Sequence, residues 1–329
     1  MKKVRQISAS LLVIAICLSS TFCLKAQDPS FSQPMNNPLL LNPSMMGMNN
    51  SLRAVLNYRN QWMDIDQGFN TASVSVTMPV FLKKQMWMLE EGRNRLDFGL
   101  NITGDKAGAF TNLAASLSVG YGLFVSDYSF LHTSVNLGYI QNTLDVGSLV
   151  FDDQYQWGSY NAGNPSAEHL PNLNASAPDA GFGFLWHYKN KSKRINAFAG
   201  LSAYHLNQPN LSYHSGVEVL PSRFSFQGGL KIIGEDKLDL NPLVIYTTQS
   251  SRKQLILGLT ADLNINKKSK FIFGSLYKVN DAIVLLTGYE HEMFYFAYSY
   301  DFGNSLISRS IYGIMTHELT LAYKMKTKY

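Results

Sequence analysis

Polar and apolar residues alternate along most of the chain from residue 51 onward. In Thr71–Met78 every second residue is apolar, and the residues between them carry hydroxyl groups. Ser51–Arg59 follows the same period of two. Successive side chains of a β-strand point to opposite faces, so this period predicts strands with two different environments. Asp28–Asn50, which precedes the first strand, is rich in Asn, Pro and Met and has no sustained period.

Read in this way, the chain contains about 14 strands, an even number of the kind found in bacterial single-chain barrels. The predicted strands are Ser51–Arg59, Thr71–Met78, Arg95–Thr103, Phe110–Leu123, Tyr128–Gln141, Ala180–Tyr188, Arg194–Ala203, Arg223–Ile233, Leu238–Thr248, Gln254–Ile265, Lys270–Lys278, Ala282–Tyr289, Met293–Asp301 and Met315–Met325.

The alternation alone fits two architectures. A soluble β-sandwich would bury the apolar row of Thr71–Met78, whereas a membrane barrel would turn that row toward lipid and the hydroxyl groups toward its lumen. The lengths of the connections favour the barrel. If odd strands run outward, the short turns near residues 189–193, 234–237, 266–268 and 290–291 fall on one side. The long connections Asn142–Asp179, His205–Ser222 and Gly303–Ile314 then fall on the other. Short periplasmic turns and long external loops are typical of outer-membrane barrels, although Pro79–Asn94 is an exception to the sorting.

Residues 1–26 have the features of a signal peptide. Lys2, Lys3 and Arg5 precede the apolar run Ile7–Phe22, and cleavage after Ala26 would leave Gln27 at the mature N-terminus. Both cysteines would be removed with this segment. So would four of the 28 basic residues and none of the 23 acidic ones, which leaves a nearly neutral mature chain. Charge therefore gives no support for nucleic-acid binding.

Composition also agrees with an exported β-barrel. Aromatic residues make up 12% of the chain and charged residues 16%. After the leader, no stretch reaches the ~18 consecutive apolar residues of a membrane helix.

Candidate chemistry is sparse, and we predict no enzyme activity, cofactor or metal. His132 and Ser134 share one face of a strand, which any strand with both residues would show. His205 and His214, with Glu168-His169, are scattered polar loop residues rather than a tight ligand set. The Gly-Phe-Gly-Phe run at residues 181–184 lacks the helix that a phosphate-binding loop needs, so we interpret it as strand glycines beside aromatic rings.

The segment DPSFSQPMNNPLLLNPSMMG at Asp28–Gly47 resembles the N-terminal signature of the PorP/SprF family, whose usual form is close to DPxFSQYMxNPLxxNPAxAG. YRNQW at Tyr58–Trp62 and GFNT at Gly68–Thr71 are also typical of the family. Weaker matches follow in the expected order, including GLSAYHLNQPN and YKVNDAIVLLTGYE, so the resemblance covers the mature chain. Pro34 and Ser44-Met45-Met46 depart from the usual pattern.

This resemblance implies a non-enzymatic outer-membrane component of the type IX secretion system of Bacteroidota. Such a component would assist secretion or surface retention of a specific cargo protein, such as a gliding adhesin, and would contact the periplasmic ring and motor proteins of that machine. The expected division is a signal peptide over residues 1–26, a plug-like periplasmic segment over 27–50 and an outer-membrane barrel over 51–329. A passive porin or solute channel is the alternative function.

We predict that Asp28–Gly47 lies at or inside the periplasmic mouth of the barrel, because a polar segment interrupted by proline cannot span lipid. The candidate partner-binding residues are those of the family motifs. They are Asp28, Pro29, Phe31, Ser32, Gln33, Asn37, Pro38, Asn42, Pro43, Gly47, Tyr58, Arg59 and Trp62.

Overall fold

A computed structural model describes residues 28–62, 68–82, 94–149, 151–156, 158–161, 164, 173–190, 194–213, 216–235, 237–303 and 315–325. The predicted signal peptide lies outside this range, as do Glu168, His169 and His214. Among the described residues, no helix is both long and apolar enough to cross a membrane.

Fourteen strands form a closed barrel in which chain neighbours pair antiparallel, and β16 closes the barrel on β1 from Leu52↔Met325 to Gln61↔Thr316. The barrel strands are β1 Leu52–Gln61, β2 Phe69–Phe81, β3 Arg95–Ala107, β4 Phe110–Ser126, β5 Ser129–Leu144, β8 Leu173–Asn190, β9 Ile195–Tyr204, β10 Arg223–Ile233, β11 Leu238–Gln249, β12 Arg252–Asn264, β13 Ser269–Lys278, β14 Ala282–His291, β15 Phe294–Gly303 and β16 Met315–Met325. A small hairpin of β6 Tyr155–Gln156 and β7 Ser159–Tyr160 lies between β5 and β8.

The burial of β2 decides between the two architectures. Its hydroxyl-bearing residues Thr71, Ser73, Ser75 and Thr77 are all buried inside the barrel. Val74 and Met78, from the apolar row, are exposed on the outside. The same arrangement recurs around the barrel, where Leu117 and Leu137 are more than 60% exposed. An apolar outer surface and a polar interior are the reverse of a soluble β-protein and match a barrel surrounded by lipid. The predicted membrane barrel is therefore confirmed.

One predicted loop is shorter than expected. The sequence suggests a connection over Asn142–Asp179, but β5 and β8 extend into it and pair as far as Leu144↔Leu173. Their side chains also bond across the strands: the Thr143 hydroxyl donates to Asn174 Oδ1 at 2.8 Å. Backbone pairing does not require apolar side chains, so a polar composition does not mark the end of the ladder.

The two ends of the barrel differ. The loop end carries the long connections after β5, β9 and β15, and the one long connection at the turn end is that between β2 and β3. The turn end carries the tight connections after β4, β12 and β14, together with the start of β1 and the end of β16.

Residues Asp28–Asn50 lie inside the barrel, and we call this segment the plug. It folds as three short helical turns, Pro34–Asn36, Pro38–Leu41 and Pro43–Met48, each with proline at its start. Proline suits the first helical position because its φ is already fixed and no N–H is lost there. Most of the plug from Phe31 to Gly47 is buried.

The plug runs along the lumen from the loop end to the turn end. Asp28 contacts Arg223, at the start of β10, whereas Gly47 contacts Arg95, at the start of β3. The sequence predicts a position at or inside the periplasmic mouth of the barrel. The segment reaches further because inward-facing polar groups along the whole barrel wall satisfy its backbone and side chains.

Candidate functional site

Four groups of contacts fix the plug to the wall, and the first lies at the loop end. Asp28 Oδ2 is 2.7 Å from Arg223 Nη1 and 2.8 Å from His205 Nε2. The other ring nitrogen of His205 lies 2.9 Å from Asp179 Oδ1. Because each imidazole nitrogen faces a carboxylate, both must donate, and His205 carries a proton on each. We call Asp28, Asp179, His205 and Arg223 the loop-end clamp.

Electrostatics of the clamp follow from this geometry. Burial lowers the pKa of His205, but the hydrogen bonds with Asp179 and Asp28 outweigh burial and raise that pKa to about 9. Burial raises the pKa of Asp28, but the Arg223 charge and the His205 hydrogen bond outweigh it and hold the pKa well below its usual value. At neutral pH the clamp is therefore two carboxylates between two cations.

A second group of contacts lies one turn further along the plug. Glu318 accepts hydrogen bonds from the backbone N–H groups of both Ser32 and Gln33. The Ser32 hydroxyl donates to Asp301 Oδ2 at 2.7 Å, and the same carboxylate is 3.0 Å from Lys278 Nζ. Arg59 donates from Nη1 to the Ser30 carbonyl at 2.5 Å. Because these charged groups are buried, each needs its partners to offset the cost of leaving water.

Asn42 anchors the centre of the plug. Its Nδ2 donates to the backbone carbonyls of Phe184 and Leu201, both at 3.1 Å, and its Oδ1 accepts from the backbone N–H of Ser44. The Ser202 hydroxyl donates to the Leu41 carbonyl at 2.7 Å. One amide side chain thus connects two barrel strands to the plug.

Glycines in the wall make room for this contact. A Cβ on Gly183 would lie 2.9 Å from Pro43 Cγ, and one on Gly120 would lie 2.7 Å from Met46 Cε. Real Cβ atoms do not approach so closely, so a larger residue at Gly183 would displace the plug at Pro43, whereas one at Gly120 would require the side chains of His132 and Met46 to shift. Gly183 belongs to the Gly-Phe-Gly-Phe run, whose Phe182 and Phe184 are exposed on the outer face. These glycines serve close packing, in agreement with the interpretation as strand glycines.

The fourth group of contacts lies at the turn end. Arg95 donates to the carbonyl of Gly47 and, at 2.6 Å, to Asn50 Oδ1. Asp97 Oδ2 is 2.9 Å from Arg95 Nε and 2.7 Å from His132 Nε2. Ser134, two residues from His132, instead bonds the Ser44 hydroxyl at 2.7 Å. His132 and Ser134 share a strand face, but each forms its hydrogen bond with a different partner.

The family-motif residues divide between the plug and the first strand. Gln33 donates to Ser299 Oγ at 3.1 Å, and Asn37 Oδ1 accepts from Asn57 at 2.7 Å. Tyr58 points outward and donates to Asn70 Oδ1 at 2.9 Å. Trp62 packs edge-on against Phe69 at the loop end. Pro29, Phe31, Pro38 and Pro43 lie in the plug, where Phe31, Pro38 and Pro43 are buried. The partner-binding role of these residues remains a prediction, and the contacts described above are with the barrel wall.

The wall residues that hold the plug do not stand out in the sequence. They include Asp97, His205, Arg223, Lys278, Asp301 and Glu318. For the wall residues that lie within strands, the sequence does carry a signal. An ionisable residue at an inward-facing position of a membrane strand needs a partner there, so it marks a contact inside the barrel. Among the described residues, no group of three or more His, Cys, Asp and Glu side chains could hold a metal.

Comparisons with known proteins agree with this architecture. The family model described as "Type IX secretion system membrane protein PorP/SprF" matches residues 23–323. No curated protein matches the sequence.

Several solved barrels are similar in fold. The toluene transporter TodX of Pseudomonas putida has a TM-score of 0.54 and 10% identity, over 89% of this chain and 94% of that chain. A FadL homologue of Pseudomonas aeruginosa has a TM-score of 0.52 and 11% identity, over 88% and 94%. The toluene transporter TbuX of Ralstonia pickettii has a TM-score of 0.52 and 12% identity, over 88% and 93%. At such identities the likeness shows a common fold only.

Proposed function

Since this chain belongs to the PorP/SprF family of type IX secretion system membrane proteins and is an outer-membrane β-barrel, we propose that it works as a plugged, non-enzymatic accessory of that system. Its role would be to assist secretion or surface retention of one cargo protein, such as a gliding adhesin. The short turns would contact the periplasmic ring and motor proteins. The contact surfaces would be the two ends of the barrel rather than its lumen.

The observation that carries this proposal is the occupation of the lumen. The plug is fixed at four levels by buried ion pairs and hydrogen bonds, and wall glycines are fitted to its shape. Two spaces beside it at the loop end have volumes of only about 90 and 60 Å³. A lumen blocked in this way at the loop end favours a scaffold over a passive porin, whose function requires a continuous aqueous path.

The loop end offers a surface suited to a protein partner. Val217 is 82% exposed in the connection after β9, and Tyr155 and Tyr160 form an exposed aromatic pair in the small hairpin. Exposed apolar side chains outside the lipid zone are a feature of protein-binding surfaces. Loops on a rigid barrel can vary to suit a cargo without disturbing the wall.

A pull-down from native membranes, made after mild crosslinking, tests the proposal. We expect the wild type to recover periplasmic ring proteins or one large secreted protein. Compared with the wild type, Val217→Asp should recover less of the secreted protein and the same amount of the ring proteins. Glu235→Gln, in an exposed turn at the opposite end of the barrel, is the control and should recover as much of the secreted protein as the wild type. Recovery of neither partner by the wild type would contradict the proposal.

Conductance distinguishes the proposed scaffold from the alternative function, a passive porin. In planar bilayers, the wild type should show no steady pore, and a variant lacking residues 28–47 should conduct. A steady open pore in the intact protein would favour the porin.

A further inference from the structure

The lumen is not filled completely at the turn end, where a cavity of about 420 Å³ remains below the plug. Gln33, Pro34, Met35 and Asn36 of the plug close it toward the loop end. One side is apolar and is formed by Phe198, Leu243, Ile272, Leu276 and Leu286. A volume of this size lies within the range of small-molecule sites.

A row of alternating charges lies along the rim of this cavity. Lys231 Nζ bridges Asp239 at 2.9 Å and Asp262 at 3.2 Å, and Lys270 Nζ bridges Asp262 at 2.9 Å and Glu290 at 3.4 Å. Lys324 completes the row on Glu290 at 2.6 Å. Three lysines and three carboxylates therefore neutralise one another.

Arg53 adds a cation that this row does not neutralise. It lines the same cavity, and its Nε is buried without a hydrogen-bond partner. Within the part of the chain that the structure describes, Arg53 has no carboxylate within 4.0 Å. Its cross-strand neighbour in the β1–β16 ladder is Lys324, also a cation. Like charges that face each other across strands are unfavourable, so this corner of the cavity favours an anion.

From this arrangement we propose that the cavity binds an amphiphilic anion, that is, one anionic group carried on a short apolar chain or ring. The anionic group takes the free donors of Arg53, with Lys324 beside it. The apolar part lies against Phe198, Leu243 and Leu276. This site goes beyond the proposed secretion role and does not depend on it, because the side chains that would hold the ligand belong to the barrel wall and not to the loops.

Binding of octanoate to the full mature barrel in lipid nanodiscs tests the proposal. Saturation-transfer NMR against empty nanodiscs gives the specific component, and octanol supplies the same chain without the charge. A charge-assisted hydrogen bond to a guanidinium predicts octanoate binding at least about tenfold tighter than octanol binding. Arg53→Gln should remove that difference.

Two further variants make the result specific. Arg194→Gln removes the same charge at the same end of the barrel but from an exposed turn, where Arg194 pairs with Glu235, so octanoate binding should persist. Leu243→Trp keeps every charge and fills the cavity, so it should weaken both ligands, and it tests the site even if Arg53→Gln does not fold. Equal binding of octanoate by wild type and Arg53→Gln would overturn the assignment. So would unchanged affinity in Leu243→Trp, or an equal loss in Arg194→Gln.

Discussion

The loop-end clamp should open as the pH rises, and His205 is the group that controls it. The pKa of His205 is raised to about 9 from an ordinary value of 6.5. A raised pKa means that protonation stabilises the folded arrangement. This contribution is complete below about pH 6.5 and is lost as the pH rises through about 9. The contribution of Asp28 to stability depends on pH in the opposite direction. Because its pKa is lowered, this contribution is complete above about pH 4 and is lost only in acid. The clamp should therefore be closed at neutral pH and open in alkali.

The size of the effect follows from the shift. A change of one pKa unit is about 1.4 kcal/mol, so the protonated His205 stabilises the clamp by on the order of 3 kcal/mol. An energy of that size changes a local opening equilibrium by roughly 100-fold. The mature sequence contains no cysteine if the leader ends at Ala26, so a single introduced thiol can report opening.

The assay is the rate at which a water-soluble methanethiosulfonate modifies Ser30→Cys, divided by the rate at Val217→Cys. The second position is highly accessible, so the ratio cancels the intrinsic pH dependence of the thiol. We expect a low ratio at pH 7 that rises steeply above pH 9. In His205→Gln the ratio should already be high at pH 7 and should change little with pH. His317→Gln, which removes a histidine bonded to Tyr298 instead, is the control. The reasoning is refuted if His205→Gln and the wild type give the same ratio across the pH range.

Two further predictions concern the plug and its wall. Gly183→Val should destabilise the barrel by about 1–3 kcal/mol, because its side chain would collide with Pro43, whereas Gly104→Val, whose Cβ would meet no atom within 4 Å, should have a much smaller effect. Thermal unfolding in micelles, followed by heat-dependent gel mobility, measures both, and equal losses would contradict the packing argument. Glu318→Gln should lower the free energy of unfolding by about 2–4 kcal/mol. The two carboxylate oxygens of Glu318 accept from the backbone N–H groups of Ser32 and Gln33, and glutamine has an amide oxygen for only one of them. Urea unfolding measures it. Glu235→Gln, at an exposed turn, should change stability by less than about 1 kcal/mol, and a comparable loss there would point to a general charge effect.

Much of the wall could be predicted from the sequence because its alternation is local. The period of two in Thr71–Met78 requires no knowledge of the neighbouring strands, and the structure places its hydroxyl groups inside and its apolar row outside. The limits of β5 and β8 were harder to predict, since pairing at Thr143 and Asn174 depends on a partner strand rather than on hydropathy.

The site was less predictable for a different reason. Asp28 belongs to the motif that the sequence shows, but its partners are distant in the sequence: His205 follows β9, and Arg223 begins β10. The pairing of β9 with β10 places His205 near Arg223, and Asp28 reaches both only when the plug lies inside the barrel. The path of the plug could not be predicted either, because a segment without a hydrophobic period gives no indication of which strands it will contact.

The ladder between the first and last strands has a consequence for biogenesis. The plug leads directly into β1, and β1 can pair with β16 only after the whole chain has been delivered to the membrane. If the barrel closed first, the plug, which is about twenty residues long and begins at Asp28, would have to thread through an interior crossed by charged side chains. Sealing the cylinder around an already docked N-terminal segment avoids that passage, so we expect the segment to be seated before β1 pairs with β16.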